Sequence, residues 1–249
     1  MGEQDFTGVV LRNAFDLWFE PEIKRRQEAG FLPKPFRLWA AQVILDLEGP
    51  AEINFNEHIN GIFAAHAEGP VEKGQEIALA ALGKLEGLQL TPDHPNAGHL
   101  TAIYHRKQWY LFFDFRYNAS RITLHLDVAR QFLQAAEEAA ERDHRNAAVE
   151  NLFAAVELMA KSYLLMHPDR RLLTKTRHRF VATAFNRYGS HGNVPGDFLR
   201  LFNTLTDLRN SARFPNEPLR VSSDRIQAWL ETASEMDKHL ESVRPTRFA

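Results

Sequence analysis

The chain has 249 residues, a formal net charge of −2 at pH 7, and apolar and charged fractions of 44% and 25%; that is enough for one large globular domain or two small ones, with no overall pull toward nucleic acid. It has no cysteine, which excludes disulfides, thiolate zinc sites and a cysteine nucleophile. No apolar run approaches the roughly 20 residues of a membrane helix, and the opening MGEQDFTGVVLRNAFDLWFE is acidic and lacks the basic start of a secretory signal. The expectation is a cytoplasmic protein with no membrane partner and no cofactor.

In chain order, Thr7 to Ala29 reads as a helix with Val10, Ala14, Leu17 and Trp18 on one side and Pro21 kinking or breaking it. Gly30 and Pro33-Lys34-Pro35 end it. Residues 36–118 then read as strands. FRLWAAQVILDLEG is apolar and rich in β-formers, and AEINFNEHINGIFAAHAE alternates in part. VEKGQEIALAALGKLEGLQLTPDHPNAG is ambiguous between a strand followed by a short helix and a strand followed by a loop. HLTAIYHRKQWYLFFDFRYN predicts a hairpin with the polar tip His105-Arg106-Lys107-Gln108. Its aromatics, Trp109 and Tyr110 above all, either fill a core or stack bases beside the basic tip. His94, His99 and His105 suggest a metal site, but no carboxylate completes a known spacing, so no metal is expected.

From about Leu126 the apolar spacing becomes helical. Val128, Phe132, Ala136 and Ala139 form one stripe, and Ala148, Leu152, Ala155, Met159 and Tyr163 form the next. A third helix runs from Thr176 to Tyr188, with Phe180 and Ala184 inward, Val181 and Phe185 as further inward candidates, and Gly189 as its stop. A fourth spans Gly196 to Arg213, with Phe198, Leu201, Phe202, Leu205 and Leu208 inward. A fifth starts at Ser222 or Ser223, either of which can cap it, and buries Ile226, Leu230, Ala233 and Met236. The predicted fold class is α+β: a β-rich domain over residues 1–120, of unassigned role, and an antiparallel helical bundle over 121–249.

Charge is uneven. Between Asp169 and Arg213 stand nine Lys/Arg (Arg170, Arg171, Lys175, Arg177, Arg179, Arg187, Arg200, Arg209 and Arg213) against Asp169, Asp197 and Asp207. The preceding helical segment is acidic. The basic stretch either meets a polyanion or is neutralised by the acidic helices beside it. Arg209 and Arg213, four apart, share a helix face suited to phosphate. Arg209 also has a structural reading, as the ion-pair partner of Asp207 or Glu157.

Several short segments occur in a telling order: Asn146-Ala147-Ala148-Val149-Glu150, Val156-Glu157-Leu158-Met159-Ala160-Lys161, Thr176-Arg177-His178-Arg179-Phe180, and Leu208-Arg209-Asn210-Ser211-Ala212-Arg213-Phe214-Pro215. Together they resemble the HEPN (higher eukaryotes and prokaryotes nucleotide-binding) domain family, over the helical half alone. The last segment is similar to the family's Arg-x4–6-His motif, in which Asn often follows the Arg. The resemblance implies a metal-independent endoribonuclease acting as a dimer, its His and Arg placed across the two-fold for proton transfer and charge stabilisation.

Arg209 and Asn210 match that motif, but position 214 is Phe, which cannot transfer a proton. General acid–base help is worth roughly 10²–10⁴-fold. The expectation is therefore a catalytically weakened homodimer that binds RNA, a nucleotide or a protein partner, in a bacterial defence or toxin–antitoxin setting. Arg209, Arg213, Arg177 and Arg179 are the phosphate-binding candidates, Glu157 the residue that orients Arg209, and Phe214 a buried packing residue at the helix end or dimer interface. The alternative is an active ribonuclease in which Arg209 and Arg213 act with a His from elsewhere; the catalytic candidates are Arg209, Asn210 and His178, and Arg171 and His178 satisfy a looser Arg-x6-His spacing. No Gly-rich phosphate loop or GxSxG elbow is present.

Overall fold

The computed structural model describes residues 6–67, 69–174, 177–214 and 219–245. They form two compact units, one ending at Phe115 and one spanning Arg116–Pro245. The first carries the β-structure and the second is helical, so the chain is α+β.

The first unit opens with α1 (Phe6–Ala14), a π-turn (Phe15–Phe19) and α2 (Glu20–Glu28). Pro21 does not break this helix; it sits in the first turn of α2, where its missing N–H is tolerated. The irregularity lies just upstream, where the Glu20 N–H reaches back to the Phe15 carbonyl. That wider turn rotates the inward face. Phe15 and Phe19 meet edge-on at 5.4 Å and Phe19 is fully buried, while Leu17, expected inside, is 67% exposed.

The main sheet has four antiparallel strands in the order β2 (Glu52–Phe55), β1 (Ala40–Leu45), β5 (Gly98–His105) and β6 (Gln108–Asp114). Strand β1 is central. Ala41 and Val43 face the N-terminal helices, and Ala40, on the opposite face, packs with Leu85 and Leu88. Those leucines belong to a second sheet, β3 (Ile62–Ala67) with β4 (Leu82–Gln89). The ambiguous segment thus runs in the reverse of the expected order: a short 3-10 turn (Leu79–Ala81) precedes the strand. The β5–β6 hairpin turns on Arg106 and Lys107, both with positive φ (50° and 66°), as a two-residue turn matched to strand twist requires.

The second unit is built on the antiparallel pair α3 (Ala119–Glu141) and α4 (Arg145–Leu165). The stripe of α4 is buried as expected, and Val149, Phe153, Val156, Ala160 and Leu164 are buried as well. Apolar on nearly every side, α4 is the central helix. In α3 the buried line is Ile122, Leu126, Ala129, Leu133 and Ala136, with Phe132 at the surface. The Asn118 side-chain amide donates to the Leu165 carbonyl at 2.7 Å, tying the start of α3 to the end of α4.

A single turn, α5 (Arg171–Thr174), precedes α6 (His178–Ser190), α7 (Gly196–Arg213) and α8 (Ser223–Val243). Thr176, expected to begin the third helix, lies outside the described residues. Gly189 does not stop α6. A Cβ there would lie 2.8 Å from Leu199, so the glycine permits close approach to α7, and the positive φ comes later, at Gly192 (78°). Val181 and Phe185 are the fully buried residues of α6, with Phe180 and Ala184 half-buried. The hydroxyl of Ser222 accepts from the Arg225 N–H at 3.3 Å and caps α8.

Candidate functional site

Glu150, Phe153 and Glu157 are spaced three and four apart, so α4 presents them on one face. On α7 the spacing of four does the same for Arg209 and Arg213. Two amide bridges fix these helices: Asn146 donates to the Ala212 carbonyl at 2.9 Å, and Asn186 of α6 exchanges hydrogen bonds with Asn203 of α7 at 2.8 and 2.9 Å. The result is one cluster drawn from three helices.

Phe153 is its hub. The Arg209 guanidinium carbon lies 4.8 Å from the Phe153 ring centroid, a cation–π contact, and the His178 ring centroid is 5.9 Å from the same ring. Arg209 makes no ion pair among the described residues, so neither Asp207 nor Glu157 is the partner expected from the sequence. Its Nε is buried without a hydrogen-bond partner. A buried unfilled donor is costly, and here it sits on the residue proposed to hold phosphate.

Glu157 is engaged by His178 Nδ1 rather than by Arg209. An ionised carboxylate only accepts, so the neutral ring carries its hydrogen on Nδ1 and leaves Nε2 as the basic nitrogen. Glu157 is 16% exposed and His178 52%, so this nitrogen belongs to a half-open ring oriented by a half-buried carboxylate. Glu150 meets Arg213 across the helix pair at 3.1 Å, and its second oxygen is buried and unpartnered.

Phe214 was expected to be buried. At 69% exposure its ring is not packed by the chain's own helix end. Its N–H closes α7 on the Asn210 carbonyl at 2.9 Å, and Asn210 itself is exposed. Pro215 lies outside the described residues. Arg177 and Arg179 flank His178, both exposed and without an ion pair among the described residues. The other basic residues divide. Arg171 is held by Asp169 and Arg200 by Asp197, so part of the charge excess is neutralised locally.

The remaining candidates do not assemble into a site. Trp109 and Tyr110, adjacent on a strand, point to opposite faces. Trp109 meets Phe15 edge-on at 5.7 Å, and Tyr110 stacks beside Phe112 under the second sheet, so they form no single base-stacking platform. His99 bonds Thr101 at 3.1 Å, and His105 bonds the Leu82 carbonyl at 3.0 Å. No group of three metal-ligating side chains occurs among the described residues. None of their helices is long and apolar enough to cross a membrane.

The second unit is thus an antiparallel helical bundle with an arginine-bearing face at one end of its central helix. The HEPN domain family model matches residues 122–243, and the C-terminal half of the chain is a HEPN domain. No curated protein matches the chain.

Phe153 is absent from the sequence-based candidates. The signal was present in its position between Glu150 and Glu157 on their shared face, but an aromatic at helical spacing reads as core, and at 3% exposure it is core as well.

Proposed function

We propose that the helical half binds RNA or a nucleotide through phosphate at the Arg209 face, as a homodimer, and that cleavage by the family's route is weakened. The observation that carries this reading is the pairing of Arg209, set on Phe153 and free of ion pairs among the described residues, with Phe214 where the family's motif has its His. Arg177 and Arg179 extend the cationic surface, while Arg213 has to exchange Glu150 for a phosphate. The exposed Phe214 ring suits a two-fold contact that sets one helix end against its copy. A protein partner and a place in bacterial defence or toxin–antitoxin biology go with this reading.

One observation favours an active enzyme instead. The Glu157–His178 pair supplies an oriented base on the ring that carries Arg209. In that reading Nε2 takes the 2′-OH proton and Arg209 stabilises the phosphoryl charge.

Labelled RNA incubated in EDTA with wild type, Arg209→Ala and His178→Ala separates the two. The weakened reading expects no wild-type cleavage. Cleavage lost in both variants establishes the enzyme, whereas cleavage that survives Arg209→Ala belongs to a contaminant or another site.

A further inference from the structure

The helical unit holds a cavity that shares no residue with the Arg209 cluster. Its volume is about 550 Å³, within the roughly 300–1,000 Å³ of small-molecule sites. The floor is apolar: Leu164 and Leu172 are buried, and Phe180 and Ala184 half-buried. On one wall the His167 and Tyr188 rings meet edge-to-face with centroids 4.7 Å apart. Cations stand among the described lining residues, with Arg171 and Arg187 beside His191 and one carboxylate, Asp169.

That carboxylate is already occupied. Arg171 holds both of its oxygens through Nε and Nη2 at 2.7–3.1 Å, and the Arg171 backbone N–H adds a bond of 2.9 Å. Asp169 therefore has little left to offer a cationic ligand. Arg187 differs: it is exposed and has no ion-pair partner among the described residues. As a last-turn residue it complements the α6 dipole, and among the described lining residues it supplies the guanidinium not neutralised by a carboxylate.

We propose that this cavity binds a small molecule composed of a flat apolar ring system and one anionic group, the rings on the Leu164–Phe180 floor and the anion on Arg187. A neutral ring forfeits the charged contact, and a cationic one meets Arg187 with like charge. The site is independent of the RNA reading and remains if that reading fails.

Calorimetric titration of the full chain with indole-3-acetate, indole and tryptamine tests this with one ring system and three charges. Indole-3-acetate should bind at least about tenfold more tightly than indole, the size of a charge-assisted hydrogen bond, with tryptamine weakest. Arg187→Ala should bring indole-3-acetate down to the level of indole, and Arg187→Glu should invert the order; both changes are at an exposed position and keep the fold. Arg209→Ala should leave all three affinities unchanged. Equal affinities, no indole-3-acetate binding at millimolar concentration, or a preference that survives Arg187→Ala would each overturn the proposal.

Discussion

The sheet unit and the helical unit use their polar residues differently. In the sheet, buried Gln42 donates to the Asn60 carbonyl at 2.7 Å and to the Thr101 hydroxyl at 2.9 Å, and it accepts from the Asn60 N–H at 2.8 Å. Asn56 likewise accepts from the N–H groups of Trp39 and Ala40 and donates to the Arg37 carbonyl. These side chains are bound to their own backbone and hold strands and loops in register. At the α4–α7 end of the helical unit, Arg209 and Glu150 each keep a buried polar atom without a partner, and exposed arginines surround them. Polar groups satisfied within the fold serve the fold. Groups held in place but unfilled, beside a half-open surface, are where a ligand gains most.

The largest expected effect lies where the two uses coincide. Phe153 is core packing and the seat of Arg209 at once, so Phe153→Ala should cost about 3–5 kcal/mol in chemical denaturation and weaken RNA binding in whatever folded protein remains. Phe153→Leu restores most of the volume without the π-face, and it should recover stability but not affinity. Equal recovery of both would show that the cation–π contact does nothing for binding.

In the sheet unit, Gln42→Leu strands the Asn60 groups and should destabilise by about 1–3 kcal/mol while leaving RNA affinity untouched. A loss of affinity at unchanged stability would place function in the sheet and break the contrast.

A third effect is set by pH. Burial, with the Lys161 ammonium nearby, lowers the His125 pKa from 6.5 to about 4, and its Nδ1 is buried without a partner. The unfolded chain then binds a proton that the folded one refuses between those values, so stability is complete above pH 6.5 and declines as pH falls toward 4. His167 shifts in the same direction through burial. Melting temperatures of His125→Leu should therefore fall less steeply over that window than those of wild type. Parallel curves would mean that His125 titrates normally.

Much of this was legible in the sequence where local rules dominate. Helix α7 was read to the residue because the 198-201-202-205 spacing runs without interruption from Gly196. The cap of α8 was narrowed by residue type to Ser222 or Ser223, and Ser222 supplies it. The hairpin β3–β4 was less legible, since its register shifts at Ala64/Ala65 and Ala65/Ala67 break the alternation that marks a strand. The site was half legible. Arg209 and Arg213 share a face by spacing alone, but which acid meets which base depends on how α4, α6 and α7 pack. Glu150 therefore found Arg213, Glu157 found His178, and Arg209 found an aromatic ring instead of a carboxylate. The exposure of Phe214 follows from where α7 ends relative to its neighbours, which no local pattern encodes.

The most direct test is the affinity of single-stranded RNA for the full chain, titrated across salt concentrations, for wild type, Arg209→Ala and the Arg209→Ala/Arg213→Ala double variant. A phosphate-binding face predicts affinity that falls as salt rises, with the slope of log affinity against log salt reduced by about one for each phosphate-contacting arginine removed. Affinity indifferent to salt, or a slope unchanged in the double variant, would contradict the assignment of phosphate binding to this face.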